Sequence, residues 1–130
     1  MGDPETEVVL PRLKNDLVEL FIALDNKQLS PIQIETDARA ATAIVLVSGG
    51  YPEKYEKEKQ INGLNQVKDS LVFHAGTKVL DENIVTNGGR VLALTSFGED
   101  FHKALAVSKK NATLIDFEGK YFRTDIGFDL

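Results

Sequence analysis

Two stretches within the first thirty residues carry the polar-then-apolar pattern that predicts helices. Asp3 is a favourable N-cap and Pro4 suits the first helical position, so we expect a helix to begin there. Pro11 is expected to end or kink this helix, because proline lacks an N–H and its ring clashes with the preceding turn. A second helix, capped by Asn15 or Asp16, follows, since apolar residues then recur at the i, i+3, i+4, i+7 spacing of a buried stripe. The members of that stripe are Leu17, Leu20, Phe21 and Leu24.

The pattern changes to that of β-strands after a connection over residues 30–37. Residues 43–47 form a short apolar run rich in β-branched side chains, which predicts a strand. Residues 53–59 are nearly all charged and predict a solvated loop. Residues 71–75 predict a second strand, and the apolar runs at 84–86 and 90–95 predict further extended chain.

The Asn87-Gly88-Gly89 segment between the last two runs allows two interpretations. Asn-Gly between apolar runs is typical of a tight hairpin. The first run is short, however, so a single bulged strand over residues 84–95 is an equal alternative.

The last regular elements complete an α+β pattern. A helix is expected over residues 99–114, followed by a short closing strand at 121–122. The apolar face of this helix consists of Phe101, Ala104, Leu105, Ala112 and Ile115. The order of elements predicts an α+β fold, with a mainly antiparallel sheet and a covering helix.

Composition narrows the class of protein. The 130-residue chain is 42% hydrophobic and 27% charged, as expected for one soluble domain. The absence of cysteine excludes disulfides, thiolate zinc sites and iron–sulfur clusters. A net charge of −5 argues against nucleic acid as a partner. No apolar run reaches the ~20 residues of a membrane span, and the acidic start does not resemble a signal peptide, so we expect no membrane contact and a cytoplasmic location.

Three polar, glycine-bearing stretches are candidates for chemistry, and each has a structural alternative. Residues 2–6 could hold an anion on free N–H groups, or could simply cap a helix. Residues 74–77 could form a small-residue platform for a ligand, or His74 could be a satisfied structural side chain. Residues 86–90 combine backbone donors with the cation of Arg90, which suits phosphate or carboxylate oxygens, or they could be a bulge with an exposed arginine.

Taken together and in order, five stretches resemble one family, the phosphoribosylamine–glycine ligases (glycinamide ribonucleotide synthetases). The stretch at 2–17 resembles the end of the family's ATP-grasp region, and the other four resemble successive blocks of its C-terminal domain. Those four are Ser48-Gly49-Gly50-Tyr51-Pro52, Val72-Phe73-His74-Ala75-Gly76-Thr77, residues 86–92 and Asp125-Ile126-Gly127. The resemblance implies a boundary near residue 37, with 1–37 as the helical tail of the ATP-grasp lobe and 38–130 as the C-terminal α+β domain.

The family joins glycine to 5-phosphoribosylamine through an acyl-phosphate, with Mg²⁺ and ATP. The resemblance implies that the nucleotide-binding lobes and the Glu-x-Asn magnesium ligands would precede Gly2, so that Met1 lies at a cut. We therefore expect a fragment that lacks a complete catalytic constellation and a metal site, binds neither Mg²⁺ nor ATP alone, and has the missing lobes as partners. A homodimer through exposed N-terminal helices is also possible.

The resemblance also suggests roles for ten residues, all as substrate contacts. It implies that the acidic turn at 3–6 lies at the metal and substrate end of the site, and that the other two stretches face phosphoribosylamine or glycine. The ten residues are Asp3, Glu5, Thr6, His74, Gly76, Thr77, Asn87, Gly88, Gly89 and Arg90. The alternative from a different class is a non-catalytic binding or assembly module with the same fold. Complete packing of the N-terminal helices on the chain's own sheet would favour that alternative.

Overall fold

The protein is described here from a computed structural model, which covers residues 2 and 4–128. Within these residues the chain forms three α-helices, one 3-10 turn at Leu64–Gln66 and five β-strands. The helices are α1 (Thr6–Arg12), α2 (Leu17–Asp25) and α3 (Phe101–Leu114). The strands are β1 (Ala40–Val47), β2 (Ser70–His74), β3 (Thr77–Leu80), β4 (Asn83–Thr86) and β5 (Arg90–Gly98).

The larger sheet is built around β5, which lies between β1 and β2 and is antiparallel to both. Leu94 of β5 is opposite Ile44 on one side and Val72 on the other, so one row of apolar side chains crosses all three strands. β3 and β4 form a separate antiparallel hairpin. The predicted α+β fold with a mainly antiparallel sheet is confirmed.

The core lies between the larger sheet and α3. Ile44, Leu46, Leu92, Leu94 and Ile115 are each at most 1% exposed. The covering helix was expected from residue 99 and begins at Phe101. Asp100 caps it instead, because its side chain accepts a hydrogen bond from the Lys103 N–H at 2.8 Å.

A chain of hydroxyl groups also joins α3 to the sheet. Ser108 of α3 contacts the Thr42 hydroxyl at 3.0 Å and donates to the Ser96 hydroxyl at 2.7 Å. Ser96 in turn lies 2.6 Å from the Ser70 hydroxyl, which accepts from the Asn111 amide. The face of the sheet toward α3 is therefore fixed by polar contacts as well as by apolar packing.

Both interpretations of residues 84–95 are wrong. β4 pairs with β3, whereas β5 pairs with β1 and β2, so the Asn87-Gly88-Gly89 segment connects two different sheets. The hairpin turn lies earlier, at Asp81 and Glu82, both of which have positive φ. The expected closing strand is reduced to an isolated bridge between Tyr121 and Val47.

The N-terminal helices differ in how they pack. α1 lies against β1 and β5, and the Thr95 hydroxyl donates to the Glu7 carbonyl at 2.6 Å. α2 begins as predicted at the Asp16 cap, but it has no buried residue, and Phe21 and Leu24 are 59% and 58% exposed. The apolar stripe of α2 is therefore not buried against the described part of this chain, as expected of a segment that packs on lobes outside it. The segment is only partly packed on its own sheet, which does not meet the condition that would favour a non-catalytic module.

Candidate functional site

The connections β2–β3 and β4–β5 cross at two glycines. The Asn87 N–H donates to the Gly76 carbonyl at 2.8 Å, and the Gly76 N–H donates to the Val91 carbonyl at 3.1 Å. A Cβ atom on Gly76 would lie 2.8 Å from Gly88 Cα and would overlap the Arg90 carbonyl oxygen. These positions therefore need glycine because two backbones touch, and the structure brings Gly76, Asn87 and Gly88 together as one crossing.

The turn after β1 closes over this crossing. The Ser48 hydroxyl donates to the Gly88 carbonyl at 2.9 Å, and its N–H donates to the Gly89 carbonyl at 2.8 Å. The Tyr51 ring packs so closely on Gly89 that any Cβ there would overlap it. Tyr51 was not a predicted site residue, although it lies within one of the five blocks.

His74 and Thr77 form a local pair. The His74 Nδ1 lies 3.0 Å from the Thr77 hydroxyl, which fixes the ring at the end of β2. The imidazole remains exposed. This arrangement agrees with the structural interpretation of the histidine and still leaves its ring facing a cavity.

The N-terminal turn is satisfied from within. The Thr6 hydroxyl donates to the Gly2 carbonyl at 2.5 Å, and the Thr6 N–H donates to the same carbonyl at 3.2 Å. The N–H groups of residues 7–9 donate to the carbonyls of Pro4 and Glu5. The N–H groups of residues 6–9 are thus engaged within the chain and do not serve an anion here. Glu5 is exposed, and Asp3 lies outside the described residues.

Three of the ten candidate residues line two cavities: Arg90 lines one, and Thr6 and His74 line the other. The first, of about 240 Å³, lies beside β1 and is lined by Pro4, Tyr51, Arg90, Tyr121 and Arg123, among others. The second, of about 500 Å³, lies between α1 and β2. Its lining includes Thr6, Glu7, Leu10, Phe73 and His74. The structure therefore brings Thr6 and His74 to one cavity, whereas Arg90 lines a different one.

Arg123 is a residue that the sequence analysis missed. Its guanidinium holds the Asp125 carboxylate through two contacts of 3.1 Å, and this hydrogen bonding keeps the pKa of Asp125 below its usual range. The signal available in the sequence was its position two residues before the Asp125-Ile126-Gly127 block.

Residues 2 and 4–128 contain no group of three or more histidine or carboxylate side chains arranged to hold a metal ion. The same part of the chain has no helix that is both long and apolar enough to cross a membrane.

Comparison with known proteins gives consistent matches along nearly the whole chain. A phosphoribosylamine–glycine ligase of Nostoc sp. is 45% identical over 131 residues, which is 98% of this chain and 31% of the relative. The trifunctional purine biosynthetic protein adenosine-3 of Gallus gallus is 46% identical over 132 residues, which is 98% of this chain and 13% of that protein.

A solved structure agrees with the sequence matches. The crystal structure of phosphoribosylamine–glycine ligase from Thermotoga maritima matches with a TM-score of 0.74 and 34% identity, covering 96% of this chain and 31% of that chain. The chain thus spans about a third of the length of the ligases it matches. The family model described as phosphoribosylglycinamide synthetase, C domain, matches residues 41–129. The chain belongs to the phosphoribosylglycinamide synthetase C domain family.

Proposed function

We propose that this chain is the C-terminal part of an ATP-dependent ligase that joins glycine to 5-phosphoribosylamine. The observation that carries the proposal is the glycine crossing, where residues 76 and 88 bring two backbone connections into contact beside Arg90. The crossing fixes the backbone where β5 begins at Arg90, and a guanidinium suits phosphate or carboxylate oxygens. We infer the reaction from the names of the relatives, which are phosphoribosylamine–glycine ligases.

The reaction transfers the γ-phosphoryl group of ATP to the carboxylate of glycine, and the amine of phosphoribosylamine then displaces phosphate from the resulting acyl phosphate. ADP and phosphate leave, and an amide C–N bond is formed. In this scheme Arg90 holds anionic oxygens of a substrate. His74, Thr77 and residues 87–89 shape the adjoining surface, and Asp3, Glu5 and Thr6 border it.

We further propose that Mg²⁺ and ATP bind to a part of the enzyme outside this chain. The described residues do not offer a carboxylate cluster that fits Mg²⁺, which prefers several oxygen ligands. The catalytic machinery is therefore completed by the other lobes, and this chain is expected to have no ligase turnover alone.

The partner surface for those lobes is α2. Val18, Phe21, Ile22 and Leu24 are each more than half exposed, which is unusual for one short helix of a soluble domain. The alternative occupant of this surface is a second copy of the chain.

Contacts within the N-terminal segment support a boundary near residue 37. The Arg12 guanidinium donates to the Asp37 carbonyl at 3.0 Å, and the Lys14 N–H donates to the Glu35 carbonyl at 2.9 Å. Asn15 also bonds residues on the returning strand of chain, at Gln33 and Glu35. Residues 12–37 thus form a loop whose two ends are hydrogen-bonded to each other just before β1 begins, as expected for the tail of a preceding lobe.

A chimeric enzyme tests the proposed function. The segment of the Nostoc ligase that matches this chain is replaced by the 130-residue chain, and ADP release is measured with both substrates present. We expect ADP release that depends on glycine and on phosphoribosylamine.

Arg90→Ala should lower kcat/KM by roughly tenfold or more, since a charged contact contributes about 1.5–3 kcal/mol. Arg39→Ala is the matched control, because Arg39 pairs with Asp37 away from the crossing. A folded chimera without substrate-dependent turnover would contradict the proposal.

A further inference from the structure

The cavity of about 500 Å³ between α1 and β2 is lined by a carboxylate that lacks a partner. The Oε2 atom of Glu7 is buried and accepts no hydrogen bond, and it is the only such side-chain atom among the described residues. The helix cannot easily turn this side chain away, because the Thr95 hydroxyl donates to the Glu7 carbonyl at 2.6 Å and holds this turn on β5. A buried carboxylate without a donor is costly, since the charge loses water and gains nothing in exchange.

The polar groups nearest to this carboxylate are engaged elsewhere. The Thr6 hydroxyl donates to the Gly2 carbonyl at 2.5 Å, and Nδ1 of His74 lies 3.0 Å from the Thr77 hydroxyl. None of the ion pairs among the described residues includes Glu7. The partner of Glu7 must therefore come from outside the described part of the chain.

The rest of the lining selects the chemistry of that partner. The remaining walls are apolar and consist of Leu10 and Pro11 of α1 and Leu71 and Phe73 of β2. β2 is an edge strand of its sheet, and Leu71 is 46% exposed, so the cavity is open on this side. Apolar walls beside one carboxylate fit a hydrocarbon stem with a cationic end, which is the build of lysine and arginine side chains.

A cation also relieves the burial of Glu7 more fully than a neutral donor does. Its attraction acts on the whole carboxylate and offsets the uncompensated charge, even where one oxygen stays covered. The chain as a whole has a net charge of −5, which likewise favours a basic face on a partner.

The position of the cavity indicates which molecule supplies the basic side chain. The chain spans about a third of the ligases it matches. Thr6 lines the cavity and holds the Gly2 carbonyl, so polypeptide preceding Gly2 in a longer protein would start at the rim of this cavity. We propose that a lysine or arginine side chain of the upstream lobes enters the α1–β2 cavity and pairs with Glu7.

This inference rests on the proposed function, because it requires the upstream lobes. It adds a charged contact at α1 to the apolar surface of α2. Apolar surfaces tolerate several partners, whereas an ion pair fixes orientation and disfavours wrong partners. Glu7 is therefore assigned as a residue that positions α1 against those lobes.

The test compares three substitutions of Glu7 in the chimera with the Nostoc upstream lobes, by hydrogen exchange of the amides of residues 6–12. Protection should decrease in the order Glu7→Gln, Glu7→Met, Glu7→Lys. Glutamine keeps an acceptor oxygen, methionine leaves the cation unpaired in an apolar cavity, and lysine adds a second cation. We expect the loss to be roughly tenfold or more for Glu7→Met and larger for Glu7→Lys.

The isolated chain gives the reference for each variant. There Glu7→Met should change the protection of α1 by less than about threefold, because a lost interaction with the helix dipole opposes the removal of an unpaired carboxylate. Glu53→Met is the matched control, since Glu53 is exposed and lies outside this cavity. It should leave α1 unchanged in the isolated chain and in the chimera.

Two orders of protection in the chimera would overturn the inference. Protection by Glu7→Met equal to or above that of the parent chimera would mean that no cation faces Glu7, and the highest protection in Glu7→Lys would mean an acidic occupant. Ligase turnover of the parent chimera is measured separately. Turnover together with a harmless Glu7→Met would reject the ion pair and keep the proposed function, whereas the expected order in a folded chimera without turnover would keep the ion pair and contradict the proposed function.

Discussion

At the scale of single residues, the glycine crossing makes the sharpest prediction. Gly76→Ala should lower the free energy of unfolding by roughly 1–3 kcal/mol or more, because the new methyl group overlaps a backbone carbonyl that cannot move aside without disturbing β5. The measurement is denaturant unfolding.

Gly88→Ala is the matched control for that change. Its Cβ would lie 3.1 Å from Gly76 Cα, a tight contact that a small shift can relieve. The loss of stability should therefore be clearly smaller. A Gly76→Ala variant that is no less stable than Gly88→Ala would mean that overlap with the Arg90 carbonyl does not explain the glycine at position 76.

At the scale of elements, the packing of α3 on the sheet is stabilised by the hydrogen bonds of Ser108. Ser108→Ala removes a buried hydroxyl that contacts Thr42 and Ser96, and both of those hydroxyls lose a partner. We expect a loss of roughly 1–3 kcal/mol in the free energy of unfolding.

Thr113→Ala, on the same helix, serves as the reference. Its hydroxyl is exposed and bonds only to the nearby Lys110 carbonyl, and both substitutions gain helix propensity. The difference between the two variants in urea unfolding isolates the hydroxyl chain. Indistinguishable stabilities would show that α3 is held by apolar packing alone.

The β3–β4 hairpin is joined to the charged 53–59 loop by an ion pair that should respond to pH. Lys78 donates to the Glu58 carboxylate at 2.6 Å, and this hydrogen bond places the pKa of Glu58 below its usual range. A carboxyl whose pKa is lowered by folding stabilises the protein above its ordinary pKa, and that contribution is lost as the pH falls through the lowered value.

The stability difference between the parent chain and Lys78→Gln should therefore be constant near neutral pH and shrink below about pH 4. Thermal unfolding across pH 3–7 provides the measurement, with Lys57→Gln as a control on an exposed lysine of the same loop. The effect is small, because both partners are solvent-exposed. A difference that grows on acidification would contradict the assigned pair.

Elements with a local signal could be predicted from the sequence, and those fixed by distant contacts could not. β1 and α3 follow from the spacing of apolar residues, and the start of α2 follows from the Asp16 cap. β3 was missed because residues 77–80 are exposed or half-buried and carry no alternation. The sequence indicates a turn at Asp81-Glu82-Asn83, and Asp81 and Glu82 do form the hairpin turn with positive φ, but the strand that precedes the turn has no signal of its own.

At the scale of the whole molecule, α2 should behave differently in this chain and in the complete ligase. Its apolar residues have no cover within the described part of the chain, so its amides should exchange with solvent quickly. In the chimera with the upstream lobes, the same amides should become protected by tenfold or more, whereas those of α3 should change little.

Hydrogen exchange followed by mass spectrometry measures the protection of the α2 and α3 amides in one experiment. Sedimentation of the isolated chain shows whether a second copy of the chain, instead of the upstream lobes, covers α2. Protection that rises with the concentration of the isolated chain would indicate a homodimer. Rapid exchange of α2 in an active chimera would contradict packing against the upstream lobes.

The candidate site shows the same division between local and distant signals. The stretches at 74–77 and 86–90 stand out by composition, and their contact at Gly76 and Gly88 agrees with that choice. Arg123 and Tyr121 carry no local signal, because they become neighbours of Arg90 only when the C-terminal segment pairs with Val47. The apolar stripe of α2 indicates a face that needs cover, but a stripe does not specify which molecule covers it, and the described part of this chain leaves that face largely exposed.

The central position of β5 has a consequence for the order in which the protein can fold during synthesis. β5 is the last strand to leave the ribosome, yet β1 and β2 have no other partner in the three-stranded sheet. A nascent chain that ends before Arg90 can form the local β3–β4 hairpin, but its first two strands have exposed edges. The N-terminal lobes of the proposed ligase would therefore be made long before the surface that completes their substrate site exists, and assembly of that site would be among the last events of translation.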